Sequence, residues 1–339
     1  MKILVTGGLG FIGSHTVVEL QNKGFEVVII DNLSNSSREV LDGITKITGK
    51  KPEFIEMDLR DKADVIDFFK THKEVSGVIH FAASKAVGES VEKPLLYYEN
   101  NLGTLIYILQ ELSEKEESHF IFSSSCTVYG QADELPITES APVKSAESPY
   151  GNTKQIGEEI IRDTCKVKKE VQAIALRYFN PVGAHASGEI GELPLGVPQN
   201  LIPYITQTGM GMRDQLSVYG DDYPTEDGTA VRDYIHVVDL AKAHVIALQR
   251  LIDKKNESNY EVFNIGTGTG SSVLEVIESF EKVSGKKLPY KIVGRREGDV
   301  VAAYADTTKA NNKLGWKSEK TLDEAMDSAW KWEQKVRSE

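Results

Sequence analysis

A chain of 339 residues can bury one large core or two moderate ones, and it carries no repeat or low-complexity tract, so two lobes are expected. Its formal net charge of −12 argues against nucleic acid or an anionic membrane surface as the main partner, because neither attracts an acidic protein. The two cysteines, Cys126 and Cys165, give no disulfide framework, no apolar run approaches the ~20 residues that span a bilayer, and the first residues enter a strand without a cationic leader. A cytosolic protein is expected, in which any anionic ligand meets local arginines.

Residues 3–5, Ile-Leu-Val, form an apolar run too short for a helix, and glycines follow at Gly7, Gly10 and Gly13. This predicts a buried strand, a tight turn and a helix that ends at Lys23 before Gly24. The first glycine permits the turn, the second admits a pyrophosphate to the backbone and the third lets the helix pack on the strand. A second apolar strand over 25–30 ends at Asp31, placed to accept hydrogen bonds from the adenosine ribose hydroxyls. A carboxylate there repels a 2'-phosphate. The nearest cation, Arg38, lies several residues on, so the pattern favours NAD over NADP.

Strand and helix then alternate as in a parallel, doubly wound sheet. Residues 53–57 read as a third strand ending at Asp58, and a helix follows to His72. Residues 77–81 form a fourth strand ending in Ala82 and Ala83, Pro94 opens a helix reaching Leu112, and 119–123 form a fifth strand. Ligands of such sheets lie beyond the carboxyl ends of the strands. Asp58, Ala82, Lys85 and the run Ser123-Ser124-Ser125 should therefore border one crevice.

Ser148 and Pro149 are a helix cap and first-turn proline, with the helix predicted to Cys165, and 171–177 form a sixth strand. Glycine and proline become frequent over 180–203, which places the lobe boundary there: 1–180 for the dinucleotide and 181–339 for a second ligand. The later segments 260–265 and the helix from Val238 are regular enough for some to return to the first lobe. The last helix, 321–336, carries Trp330 and Trp332 as packing residues.

Tyr150 and Lys154 are four apart on one helix face. A phenol is a poor base near neutral pH, and a cation held close stabilises the phenolate. Lys154 can also hold the nicotinamide ribose. A serine at the crevice, from Ser123-Ser124-Ser125, can relay a proton between a substrate hydroxyl and the phenolate. Cys126 has no histidine beside it in sequence and reads as packing.

These segments resemble the extended short-chain dehydrogenase/reductase family over essentially the whole chain. The resemblance rests on Thr6-Gly7-Gly8-Leu9-Gly10-Phe11-Ile12-Gly13-Ser14-His15, Asp31-Asn32 and Lys85-Ala86-Val87-Gly88-Glu89-Ser90. It continues in Ser123-Ser124-Ser125-Cys126-Thr127-Val128-Tyr129-Gly130, Ser148-Pro149-Tyr150 and Arg177-Tyr178-Phe179-Asn180-Pro181-Val182-Gly183-Ala184. Tyr223-Pro224-Thr225-Glu226-Asp227-Gly228-Thr229, Val231-Arg232-Asp233-Tyr234-Ile235-His236 and Arg295-Arg296-Glu297-Gly298-Asp299 complete it and are more specific to the branch that epimerises UDP-hexoses at C4. The resemblance implies a Rossmann-type α/β fold with a smaller α/β substrate lobe, a homodimer paired through the helices at 94–112 and 149–165, retained NAD and no metal.

It further implies that Tyr150 takes the proton from the sugar 4-hydroxyl with Ser125 bridging, while C4 gives hydride to the nicotinamide; the keto sugar turns over and takes the hydride back on its other face. The NAD residues implied are Gly7, Gly10, Phe11, Ile12, Gly13, Asp31, Asn32, Asn35, Ser36, Asp58, Leu59, Phe81, Ala82, Ala83, Lys85, Asn100, Ser123, Tyr150, Lys154 and Phe179. Arg232 and Arg296 match the pyrophosphate positions. Ser125, Tyr150, Asn180, Asn200, Leu201, Val218, Tyr219, Asp299 and Ala303 match positions around the sugar, uracil and ribose. Members with tyrosine at the position of Ala303 are restricted to plain hexoses, whereas a small residue leaves the volume an acetamido group needs; UDP-GalNAc and UDP-GlcNAc are then expected substrates too, with neighbouring Tyr304 able to close the space. Two other activities compete. A nucleotide-sugar 4,6-dehydratase carries Asp-Glu where this chain has Cys126-Thr127, and a non-catalytic NAD-sensing regulator has no use for intact Tyr150, Lys154 and Ser125.

Overall fold

The computed structural model describes residues 1–296 and 299–338. The chain opens with β1 (Lys2–Thr6), α1 (Phe11–Asn22), β2 (Glu26–Asp31), α2 (Glu39–Thr48), β3 (Glu53–Glu56), α3 (Lys62–Thr71) and β4 (Val75–His80). The short α4 (Val87–Glu92) and the long α5 (Pro94–Leu112) lead to β5 (Ser118–Ser125), then to α6 (Pro149–Val167) and β6 (Val171–Tyr178). Shorter elements follow: β7 (Asn180–Val182), α7 (Leu201–Gly209), β8 (Leu216–Tyr219), β9 (Val231–Arg232) and β10 (Tyr234–His236). α8 (Val237–Ile252), β11 (Tyr260–Ile265), β12 (Ser271–Ser272), α9 (Val273–Ser284), β13 (Tyr290–Val293), β14 (Ala302–Ala303) and α10 (Leu322–Val336) complete the chain.

Seven parallel strands form one sheet in the order β11-β6-β5-β4-β1-β2-β3. This is a doubly wound, Rossmann-type fold, and both sheet faces are covered. Ile3 and Val5 pack with Val17 and Leu20 of α1 and Leu240 and Leu248 of α8. Leu4, between them, points the other way, toward Phe68 of α3, Leu105 of α5 and Ile161 of α6. That double burial explains the unbroken apolar run in β1. Strand order reverses between β1 and β4, which opens the crevice there.

A second core gathers Ile202, Ile205, Val218, Phe280, Met326 and Trp330, with the Phe280 and Trp330 rings edge to face at 5.4 Å. α8 and β11 lie in the first core although they follow residue 180, and Ala310, Leu314 and Trp316 join them there. Among the described residues no helix is long and apolar enough to cross a membrane.

The structure amends several element boundaries; β4, for one, runs Val75–His80 rather than 77–81. α2 (Glu39–Thr48) was not anticipated; it closes with Gly49 at φ +71, and its Leu41 and Ile44 enter the first core. β5 runs through Ser125 rather than ending at Ser123, because β6 pairs with it to the last residue, Ser125 against Tyr178. The last helix starts at Leu322, with Thr321 as its cap and Glu324 bonding back to the Thr321 N–H.

Candidate active site

At the crevice, Gly7 sits at φ +66 and a Cβ on it would lie 2.9 Å from the Ala82 nitrogen. A Cβ on Gly13 would lie 2.2 Å from the Gly7 carbonyl oxygen, so the turn and α1 pack this closely only without one. Gly10 caps α1 with no side-chain partner for the first-turn N–H groups, and no acidic residue stands in that turn. Phe11 and Ile12 open the helix, half-buried. Asp31 accepts from the Leu9 N–H at 3.1 Å, the Leu33 N–H at 3.0 Å and the Ser36 hydroxyl at 2.8 Å, which ties the turn to the loop after β2. Arg38 is engaged elsewhere: it pairs with Glu56 and lies over the Phe54 ring. Asn32 donates to Asp58 at 3.2 Å, and the hydrogen bonds from Arg60 hold the Asp58 carboxyl down at about 2. Leu59 is buried beside it and Asn35 is exposed.

A glycine cradle that a Cβ would fill, an open helix N-terminus and a carboxylate at the end of β2 together fit a dinucleotide without a 2'-phosphate. Among the described residues, no group of three or more His, Cys, Asp or Glu side chains is placed to hold a metal ion.

Across the crevice, the Ala82 N–H donates to the Thr6 hydroxyl at 3.3 Å, and Phe81 packs its ring 4.7 Å from that of His244. Ala83 is half-buried and Lys85 exposed. Asn100 donates to the Ser84 hydroxyl at 2.8 Å. Its neighbour Asn101, which the sequence reading passed over, does more: it accepts from the Ser84 N–H, donates to the Ser84 carbonyl and donates to Thr153 of α6. No pattern along α5, which also carries Glu99, Asn100, Gln110 and Glu111, singles Asn101 out. Phe179 is buried and donates its N–H to Ile265 of β11.

α6 begins as expected, with the Ser148 hydroxyl accepting from the Gly151 N–H at 3.2 Å and Pro149 in the first turn. Lys154 is buried and donates to the Ser123 carbonyl at 2.7 Å, with its ammonium 5.7 Å from the centre of the Tyr150 ring. Ser123 also touches the Tyr178 hydroxyl. Burial brings Lys154 down to about 8, with Glu158 opposing. Burial also pushes the Tyr150 phenol well above its ordinary value; Tyr178 and Cys126 add to this and the facing Ser125 hydroxyl opposes it. The lowering expected from Lys154 is not found in the protein alone, where desolvation of the phenolate dominates. Burial pushes the Cys126 thiol up to about 12, which excludes it as a reactive thiolate.

Asp299 bridges the two predicted arginines. It meets Arg296 at 2.9 Å and Arg232 at 3.5 Å, and the Arg296 guanidinium lies 4.8 Å over the Tyr219 ring. Glu297 and Gly298 of that motif lie outside the described residues. Arg232 is near enough to Cys126 to act on its thiol, which places the arginine pair beside the end of β5. Asn180 is exposed at the start of β7, directly after Phe179. Asn200, capping α7 ahead of Leu201, donates to Glu192 at 2.6 Å, and Lys85 is the cation that acts on Glu192. Val218 turns its side chain into the second core, because it alternates with the exposed Tyr219 on β8. Ala303 pairs with Arg232 through β14 and β9 and packs against the cluster of Val128, Tyr129, Ile137 and Phe179. Tyr304 points the other way: a Cβ on Gly270 would lie 3.2 Å from its ring.

Comparison with known proteins adds an independent line. The model of the family described as GDP-mannose 4,6 dehydratase matches residues 4–329. A UDP-glucose 4-epimerase of Bacillus subtilis (strain 168) is 52% identical over 334 residues, 98% of this chain and 97% of that protein. The crystal structure of UDP-glucose-4-epimerase from Stenotrophomonas maltophila with bound NAD and formylated UDP-arabinopyranose superposes with a TM-score of 0.96 at 45% identity, covering 100% of this chain and 99% of the other. That of the Bifidobacterium longum enzyme, in complex with NAD+ and UDP, gives 0.94 at 48% identity and 99% coverage of both chains.

Proposed function

The chain belongs to the UDP-glucose 4-epimerase family, and from that premise we propose that it interconverts UDP-galactose and UDP-glucose with retained NAD through a 4-keto sugar. The observation that carries this is the meeting of Tyr150, Lys154 and Ser125 at the end of β5, on the same crevice as the glycine turn. NAD, when bound, supplies the acceptor and donor of the C4 hydride. Residues 1–180, with α8 and β11, hold it, and most of 181–339 hold the nucleotide sugar. Ser125 passes the proton of the sugar 4-hydroxyl to Tyr150, and returns it when the sugar is reduced on its other face. Lys154, fixed by the Ser123 carbonyl, supplies the positive charge beside the phenol and reaches the nicotinamide ribose. Arg232 and Arg296 exchange Asp299 for the pyrophosphate, so binding energy lies at the nucleotide end and the sugar is free to turn.

Arg232→Ala is expected to raise KM for UDP-galactose about 10- to 100-fold, the worth of a charge-assisted hydrogen bond, with kcat little changed. Initial rates over a range of substrate concentrations check this.

The small side chain of Ala303, with Tyr304 turned away, supports a larger C2 substituent on the sugar, and UDP-GalNAc and UDP-GlcNAc are proposed substrates as well. The test is 4-epimer formation from UDP-galactose and from UDP-GalNAc by purified protein without added NAD, followed by NMR. Conversion of both is expected, and Ala303→Tyr should abolish only the second. No turnover of either sugar, even with NAD supplied, would reject the epimerase. Dehydration is disfavoured because Cys126 and Thr127 stand where its acid pair belongs, and the thiol holds its proton. The protein is proposed to be a cytosolic homodimer joined through α5 and α6.

A further inference from the structure

On α6, Tyr150, Lys154 and Glu158 recur every fourth residue and form one stripe. That stripe meets the end of β5 residue by residue. Lys154 donates to the Ser123 carbonyl at 2.7 Å, the Ser124 hydroxyl donates to Glu158 Oε1 at 2.5 Å, and Ser125 faces the Tyr150 phenol. Glu158 is buried with both oxygens fully used: Oε1 also accepts from Arg177 Nε at 2.9 Å, while Oε2 accepts from Arg177 Nη2 at 2.6 Å and from the Tyr260 hydroxyl at 3.3 Å. Arg177, on β6, gives its remaining arm to the Tyr129 hydroxyl at 2.9 Å and lies 4.8 Å over that ring. Tyr129 in turn donates to Asn264 of β11 at 2.6 Å. Desolvation offsets most of what such a buried ion pair gains, so stability alone is a weak reason for it.

We propose that Glu158, clamped by Arg177 and bonded to Ser124, is a positioning residue that fixes the strand end carrying the Ser123 carbonyl and the Ser125 hydroxyl against the helix carrying Lys154 and Tyr150. The proposal deepens the epimerase reading and rests on it. Ser124 lies between the two residues that touch the reacting groups, so its anchor restrains both at once. Without that anchor, Lys154 and Ser125 lose a common reference, and small misplacements of proton-transfer groups lower rate rather than affinity. Glu158 also acts on Lys154 by charge. The groups around Lys154 are Tyr150 and Glu158 on α6, the Ser123 carbonyl and Phe122 ring on β5, and His80 on β4, which burial keeps neutral by lowering it to about 3. Those around Glu158 are Arg177, Ser124 and Tyr260, with Arg162 acting on Tyr260. Glu158 is the anion in this set.

The test uses the full-length, NAD-loaded protein. Ser124→Ala removes the anchor without changing any charge; kcat for UDP-galactose should fall about tenfold, with KM, bound NAD and melting temperature nearly unchanged. In Glu158→Gln, the midpoint of Lys154, followed by NMR of lysine-labelled protein and assigned by the signal lost in Lys154→Met, should fall, because the carboxylate that raises it is gone. Unchanged kcat in Ser124→Ala, or an unchanged Lys154 midpoint in Glu158→Gln, overturns the proposal. If Glu158→Gln does not fold, the Ser124 arm decides. If the parent itself lacks turnover, the epimerase reading falls, and the Lys154 titration still decides the coupling to Glu158.

Discussion

Tyr150→Phe is expected to lower kcat by about 10²- to 10⁴-fold, the usual contribution of a positioned acid or base, while leaving bound NAD and the fold intact. Only the hydroxyl is removed. The ring keeps its place beside the Lys154 ammonium, and Lys154 keeps its bond to the Ser123 carbonyl. The phenol is protonated in the protein alone, since burial raises it strongly. In the proposed mechanism the positive charge of a bound nicotinamide would add to that of Lys154 in bringing the phenol into range. Single-turnover measurement of NADH formation with UDP-galactose checks the assignment. A variant that oxidises the sugar at the parental rate would move the base to another residue.

Gly13→Ala is expected to abolish NAD retention and to destabilise the protein by roughly 1–3 kcal/mol or more, the cost of overpacking a close contact. Its new Cβ would fall 2.2 Å from the Gly7 carbonyl oxygen and 2.8 Å from the Gly8 Cα. Both are backbone atoms of the turn, so neither can rotate away as a side chain could. The start of α1 must move off β1, and the first-turn N–H groups proposed to meet the pyrophosphate move with it. Absorbance of NAD released on denaturation, together with a thermal melt, measures both effects. Full NAD content at an unchanged melting temperature would show that the turn tolerates a wider separation than its geometry implies.

The two predictions draw on features that differ in how visible they are along the chain. The glycine turn, Asp31 at the end of β2, the cap at Ser148 and the Tyr150–Lys154 spacing lie within short windows, where helix and strand periodicities fix which residues share a face. They were legible because local backbone geometry is nearly context-free. α2 was missed although Val40, Leu41, Ile44 and Ile47 recur at helical spacing ahead of Gly49, because Gly43 and the β-branched residues within it have low helix propensity. Asn101 and Glu158 were missed for a different reason. Their meaning lies in partners on other elements, Ser84 and Thr153 for one, Ser124, Arg177 and Tyr260 for the other.

The sequence by itself determined the parallel α/β layering, the dinucleotide turn with its preference against a 2'-phosphate, and the order of the reacting groups along α6, since each depends on spacing within one or two elements. Tertiary structure alone decided that α8 and β11 return to the first core, that Ala303 packs near the end of β5 while Tyr304 faces away, and that burial raises the Tyr150 phenol. These depend on which segments far apart in the chain exclude water from one another. Desolvation is a property of that assembly and is written in no single stretch of residues.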